Sequence, residues 1–231
     1  MVTDTEQPEG VERWTRDAAV ELVVSVAALV LVLSVFTRFA AWVETRPGVV
    51  LPDPILAHLQ PRDLTWVTFS LIYAGLALGV ISLIRYPRAL AAGVRSYAVM
   101  VLFRMVTLAV VPLDPPTGMI PLQDPFVQHL GTHGQVLTRD LFFSGHTATM
   151  CIVTLTTRHP RLRWVLLACT VGVASCVVWQ AVHYTADVLV APAFAYAAYR
   201  LVLATTPLTA RAGAPRATPC RAGERAPGVR E

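Results

Sequence analysis

Residues 140–150 read DLFFSGHTATM and residues 183–188 read HYTADV. In the first stretch Ser144, Gly145 and His146 open an apolar, helix-like run. Ser144 suits a helix N-cap, and Gly145 lets backbone approach a ligand closely. The first-turn N–H groups and the helix dipole then form an anion site beside His146. In the second stretch His183 and Asp187 lie four apart, which puts them on one helix face within hydrogen-bonding reach. A carboxylate that accepts the Nδ1 proton fixes the imidazole tautomer and leaves Nε2 available as a nucleophile. The plainer readings are a capped helix with an interfacial histidine, and a His–Asp pair that only ties helices together. Arg104, in VLFRMVTLAVVP, is the third feature. A cation in so apolar a run must face a bundle interior or a wet cavity. It either clamps a phosphate through parallel N–H donors or pairs with an internal carboxylate such as Asp187 or Asp140. Asp140 itself is a support for Arg104 or for His146.

The elements that must carry these residues follow from composition. The chain has 231 residues, 55% of them hydrophobic and 15% charged, with a mean hydropathy of +0.54. A soluble domain of this length keeps a more charged exterior, so the chain reads as an integral membrane protein. Crossing the hydrocarbon takes about 20 apolar residues. Six stretches are expected to do so: 18–43, 65–84, 96–113, 141–157, 164–182 and 184–203. The first is longer than a signal-peptide core and has an acidic flank, TDTEQPEGVE, so it is expected to be retained.

Every one of the 19 basic residues is arginine, and their placement sets the orientation. Arg13, Arg16, Arg85, Arg88, Arg95, Arg158, Arg161, Arg163, Arg211, Arg216, Arg221, Arg225 and Arg230 fall on one side, thirteen in all. The intervening loops hold only Arg46, Arg62 and Arg139. The positive-inside rule therefore puts both termini in the cytoplasm and turns His146, His183 and Asp187 outward. The expected fold is all-α: a six-helix transmembrane bundle over 18–203, preceded by a cytoplasmic segment 1–17 and followed by a basic, disordered tail 204–231.

Two other patterns point elsewhere. HLGTH places His129 and His133 at a zinc-like i,i+4 spacing, but a glycine interrupts it, no glutamate follows His129, and no third ligand is evident. Cys151, Cys169, Cys176 and Cys220 have no CxxC spacing and read as packing residues. No metal or cofactor is expected. The stretch RYPRALAAGVR lies on the cytoplasmic side, away from both histidines, and reads as an anchor.

With these residues assembled, the chain resembles the sphingomyelin synthase branch of the type 2 phosphatidic acid phosphatase superfamily. Four stretches carry the resemblance in the family's order: VVLPDPIL (49–56), RMVTLAVVP (104–112), RDLFFSGHT (139–147) and HYTADV (183–188). The last two are the specific ones. The resemblance implies a six-helix membrane bundle with its site near the outer face and His146, His183 and Asp187 as a catalytic triad. The chain departs from the phosphatase members. It has no Lys-x6-Arg-Pro, only Arg38 and Arg46-Pro47 at another spacing, and Cys176 and Val177 stand where they have Ser-Arg. That departure favours a transferase over a lipid phosphatase.

The expected activity is head-group transfer through a phosphohistidine on His183, with His146 as acid and then base. Arg104, Ser144, Gly145 and Asp140 are the weaker substrate-binding candidates. The expected partners are a membrane phospholipid donor, such as a phosphocholine lipid, and a lipid hydroxyl acceptor, ceramide or diacylglycerol, with no nucleic acid. The same site acting on water gives a phosphatase or a phospholipase C-type hydrolase, and a non-enzymatic polytopic protein is the third reading.

Overall fold

The computed structural model describes residues 14–122 and 137–206. His129, His133, Cys220, most of the amino-terminal segment and nearly all of the basic tail lie outside the described residues. The fold is all-helical: α1 (Arg16–Glu44), α2 (Thr65–Leu83), α3 (Pro87–Val110), α4 (Gly145–Thr156), α5 (Pro160–Trp179) and α6 (Thr185–Thr205). A short 3-10 turn, Leu56–His58, follows α1. Val49 and Leu113 form an isolated parallel β-bridge.

The helix starts are written in the sequence. The Thr15 side chain accepts from the Ala18 N–H, with Asp17 in the first turn of α1. Pro87 and Pro160 take the first positions of α3 and α5, where the missing N–H costs nothing. Pro87 thus starts α3 nine residues before the expected span, and Arg88 and Arg95 lie on the helix rather than in a loop.

Among the described residues, five helices are long and apolar enough to cross a membrane: α1, α2, α3, α5 and α6. The exterior agrees. The most apolar window of α1 has a mean hydropathy of 2.7, yet only 6% of it is buried. Val23, Leu31, Trp66, Val110 and Leu189 also stand exposed, as lipid-facing residues must. The molecule is a multi-pass membrane protein.

Of the fourth expected span, 141–157, only Gly145–Thr156 is helix. Helix α4 has 12 residues, about 18 Å of rise against about 30 Å of hydrocarbon. Its start is delayed because Ser144 acts as the cap, its side chain accepting from the Thr147 N–H. Residues 140–143 therefore run outside helix, yet Leu141 and Phe143 are buried. Irregular backbone at membrane depth is tolerated only where protein satisfies it. Here Thr107 Oγ donates to the Phe142 carbonyl at 3.0 Å, and the Arg104 guanidinium donates to the carbonyls of Phe143 and Asp140.

Helix α4 packs against α2, α3, α5 and α6, while α1 lies against α3 at the edge. Ala191, Ala195 and Ala198 recur on one face of α6 and are fully buried beside Met100, Ala148 and Ile152. Small residues let membrane helices approach closely without a hydrophobic driving force. Gly75 and Gly79 serve the α2–α4 contact: a Cβ there would come within 2.4 Å of the Met150 methyl and 2.3 Å of a Val153 methyl.

The connections alternate up and down, which divides the bundle into two ends. One end gathers the start of α1, the α2–α3 turn, the α4–α5 turn and the end of α6. Trp14 Nε1 donates to the Ile84 carbonyl, Arg95 pairs with Glu21 at 2.7 Å, and Arg158 lies over the Tyr86 ring. The other end gathers the loops after α1 and α3 and the starts of α2, α4 and α6.

Candidate active site

The site forms at this second end, where α4 and α6 begin side by side. The Ser144 N–H donates to the Asp187 carbonyl at 3.1 Å, so one backbone hydrogen bond ties the two helix starts together. Asp187 occupies the first turn of α6, and its Oδ2 accepts from the Tyr184 N–H at 3.0 Å. This is the carboxylate half of a capping box, and it fixes the side chain against its own helix. The same oxygen lies 3.5 Å from His183 Nδ1. His183 and Asp187 are almost wholly buried, at 2% and 0% exposure. The His146 and His183 rings stand 6.2 Å apart, centroid to centroid, inclined at 64°, and the Phe69 ring meets His146 edgewise at 6.3 Å.

Sequence positions 146, 183 and 187 are therefore brought together. At that distance no hydrogen bond is made, and His183 Nδ1 and Asp187 Oδ1 are both buried without a hydrogen-bond partner; a contact of this kind can shorten when charge develops on the imidazole. The geometry provides a carboxylate behind one imidazole and a second imidazole across a gap beside a helix N-terminus. Such a constellation can move phosphoryl groups: one ring attacks, the other handles the proton.

The four weaker candidates form the layer that supports this arrangement. Arg104, 4% exposed, pairs with the Asp140 carboxylate and donates to the Phe143 carbonyl. Of the two partners open to it in the sequence, Asp140 is the one it takes. The Ser144 hydroxyl is engaged at the helix start, receiving the Thr147 hydroxyl at 3.1 Å and its N–H at 3.4 Å. Gly145 lies flat against the guanidinium; a Cβ there would come within 2.9 Å of Arg104 Nη1. Glycine at 145 is thus required by the close approach of Arg104 from α3.

Several residues that position the site escaped the reading of the sequence as site residues. Tyr184 is buried and links both loops over the site, donating to the Asp114 carbonyl at 2.8 Å and accepting from the Leu51 N–H at 3.1 Å. Glu44 accepts from the N–H groups of Thr138 and Arg139 at 2.7 and 2.6 Å, while Arg139 Nε reaches Asp114 at 2.6 Å. Gln180, fully buried, joins the end of α5 to the start of α2 through the Leu64 N–H and the Thr65 hydroxyl.

Asp53 is the most consequential of these. Its Oδ2 accepts from the Thr185 N–H at 2.7 Å, and its Oδ1 takes the Thr185 hydroxyl at 3.1 Å and the N–H groups of Ile55 and Leu56 at 2.9 and 3.2 Å. It caps α6 from another loop. The signal was an aspartate between prolines at the head of a turn, where its side chain can bind the backbone two residues on. Burial raises the Asp53 carboxyl, but the hydrogen bonds from Thr185, Leu56 and Ile55 outweigh it and hold the carboxyl below the ordinary value. A folded-state pKa lowered in this way stabilises fully above the unfolded value, about 3.9, and the contribution is lost as pH falls through the folded value. Asp53→Asn keeps an acceptor but loses the charge that strengthens these hydrogen bonds, and is therefore expected to cost about 1 kcal/mol at neutral pH. The gap between variant and wild type should begin to narrow below about pH 4 and close once pH has fallen past the lowered folded value. Thermal unfolding in detergent against pH checks this, and a gap that persists on acidification would contradict it.

These features define a polytopic membrane protein with a His–His–Asp constellation at one end of the bundle, in which His183 and Asp187 are buried. A family model described as "PAP2 superfamily C-terminal" matches residues 139–204. The matched segment runs from Arg139 almost to the end of α6 and contains His146, His183 and Asp187. The match supports the type 2 phosphatidic acid phosphatase superfamily, whose members are lipid phosphatases and phosphotransferases. No curated protein matches the chain.

Proposed function

We propose that this protein is a lipid head-group phosphotransferase of the sphingomyelin synthase type. The observation that carries the reading is the facing pair of imidazoles, His146 and His183, with Asp187 behind the second. In the first half-reaction His183 Nε2 attacks the phosphorus of a glycerophospholipid such as a phosphocholine lipid. The phosphorus–oxygen bond to diacylglycerol breaks, and His146 gives its proton to the departing oxygen. In the second, a lipid hydroxyl of ceramide or diacylglycerol loses its proton to His146, and its oxygen attacks the phosphorus. The phosphorus–nitrogen bond breaks and His183 is regenerated. Asp187 holds the tautomer and stabilises the imidazolium form. The N–H groups at the α4 start face the charge that grows on the phosphoryl oxygens.

Transfer is favoured over hydrolysis by the apolar enclosure of the nucleophile. His183 is 2% exposed, with Phe69, Val177 and Val188 among the buried residues of the same end. A site that excludes water protects the phosphohistidine until a lipid hydroxyl arrives. The arginine-rich end faces the cytoplasm on this reading, which turns the site toward the outer leaflet.

The test is incubation of the purified protein with head-group-labelled phosphatidylcholine, with and without ceramide or diacylglycerol. Acceptor-dependent appearance of label in a new lipid is the expected result. Release of soluble phosphocholine regardless of acceptor would assign the site to a hydrolase instead. Inertness toward every donor would remove the enzymatic reading.

A further inference from the structure

A cavity of about 260 Å³ lies between α1, α2, α3 and α4 in the half of the bundle away from the histidines. Leu29, Leu76, Val94, Thr149, Val153 and Thr156 are among its walls, and none of its lining residues is charged. The threonine hydroxyls are spent on their own helix: Thr149 Oγ donates to the Gly145 carbonyl at 2.7 Å, and Thr156 Oγ to that of Ile152 at 2.8 Å. Tyr97 is the other lining residue with a side-chain hydroxyl, so the wall is mostly apolar and carries no charge for an ion or a head group. An apolar cavity of about 150 Å³ already takes up benzene, so this one has room for a stretch of hydrocarbon.

Its position says whose hydrocarbon. His146, Thr149, Val153 and Thr156 stand at i, i+3, i+7 and i+10 of α4, a single helix face. The face that begins with His146 continues directly into the cavity wall. Thr149 is one turn from His146, and Thr156 is about 15 Å along the axis. On the α3 side Gly93 is part of the wall and lies close against the Thr156 methyl.

We propose that this cavity holds one hydrocarbon chain of the lipid whose phosphorus lies between His146 and His183, and that it makes the protein selective for chain length. The proposal rests on the transfer reading of the site and names where that substrate's tail goes. A chain hanging from a head group at His146 has the α4 face as its continuous apolar track, and burying it there contributes selectivity with each methylene.

Two measurements test it on the full-length protein in mixed micelles. Phosphatidylcholine bearing a photoreactive group at one chain end should label residues 90–97 and 149–156, in wild type and in His183→Ala alike. Labelling confined to the exposed residues of α1, as for a bulk lipid, would overturn the proposal. Val94→Phe, which narrows the cavity, should lower the long-chain to short-chain ratio of kcat/KM about tenfold, the loss expected from about two unburied methylenes. Val94→Ala should move the preference toward longer chains, which keeps the test open if the larger side chain prevents folding. Chain-length profiles unchanged in both variants, with turnover intact, would overturn the cavity assignment and leave transfer standing. Labelling of the cavity without turnover on any phospholipid would overturn transfer and leave the chain site standing.

Discussion

On the proposed transfer reading, with His183 as nucleophile, His183→Ala is expected to reduce turnover by about 10⁴-fold or more, the scale seen when a nucleophile that acts within a unit is removed. The argument is geometric. His183 has the Asp187 carboxylate behind its Nδ1, which leaves its Nε2 as the nitrogen available for attack. His146 has Phe69 and His183 as its ring neighbours, a setting suited to proton transfer. Alanine at 183 also removes the ring beside a fully buried carboxylate, so its effect on folding has to be separated from its effect on chemistry. Asp187→Asn separates chemistry from folding, because it preserves shape and still presents the wrong hydrogen-bonding group to Nδ1. It is expected to lose activity on a similar scale with little change in unfolding temperature. The direct readout is capture of a labelled head group on the protein in the absence of acceptor. Label should appear on wild type and be missing from His183→Ala; label of equal intensity in both would move the nucleophile elsewhere.

Much of this was legible from residue types. The i,i+4 spacing of His183 and Asp187 survives because Thr185–Thr205 is a regular helix from its first turn, and spacing on a helix translates directly into shared faces. Ser144 caps α4 as its type suggests. The arginine distribution separated the two ends of the bundle before any contact was known, since loops on one side of a membrane share a charge character.

What could not be read was anything set by contacts between distant segments. The length of α4 is one case. Hydropathy runs on without a break through LFFSGHTATM, so a sum over residues cannot distinguish buried irregular backbone from helix. That distinction depends on Thr107 and Arg104, more than thirty residues away, satisfying the carbonyls of 140–143. Asp53 is another. Its local turn chemistry is visible in LPDP, but its grip on Thr185 spans 132 residues. Tyr184 likewise reads as one more aromatic until Leu51 and Asp114 meet at its hydroxyl.

Arg104→Met is expected to destabilise the protein by about 2–4 kcal/mol, a large effect for a single side chain, because it strands Asp140 and orphans backbone carbonyls at membrane depth. The side chains of Arg104 and Asp140 are 5% and 26% exposed, so water near Asp140 moderates the loss. Arg104 is then a positioning residue: it holds the Phe143 carbonyl and packs under Gly145, and so sets where Ser144 caps α4 and where His146 points. Arg104→Met combined with Asp140→Leu removes both charges together. Replacing an ion pair by apolar groups of similar volume is often close to neutral for stability, so the double variant should recover much of the unfolding temperature lost by the single one. Kinetics then decide what the guanidinium does. If it only holds the turn, the stabilised double variant keeps its KM for donor lipid while kcat falls with the looser His146. If it also binds phosphate, KM rises and added stability does not bring it back. The first pattern is the expected one, since the Arg104 donors already serve Asp140 and Phe143 and its side chain is sealed beneath the start of α4.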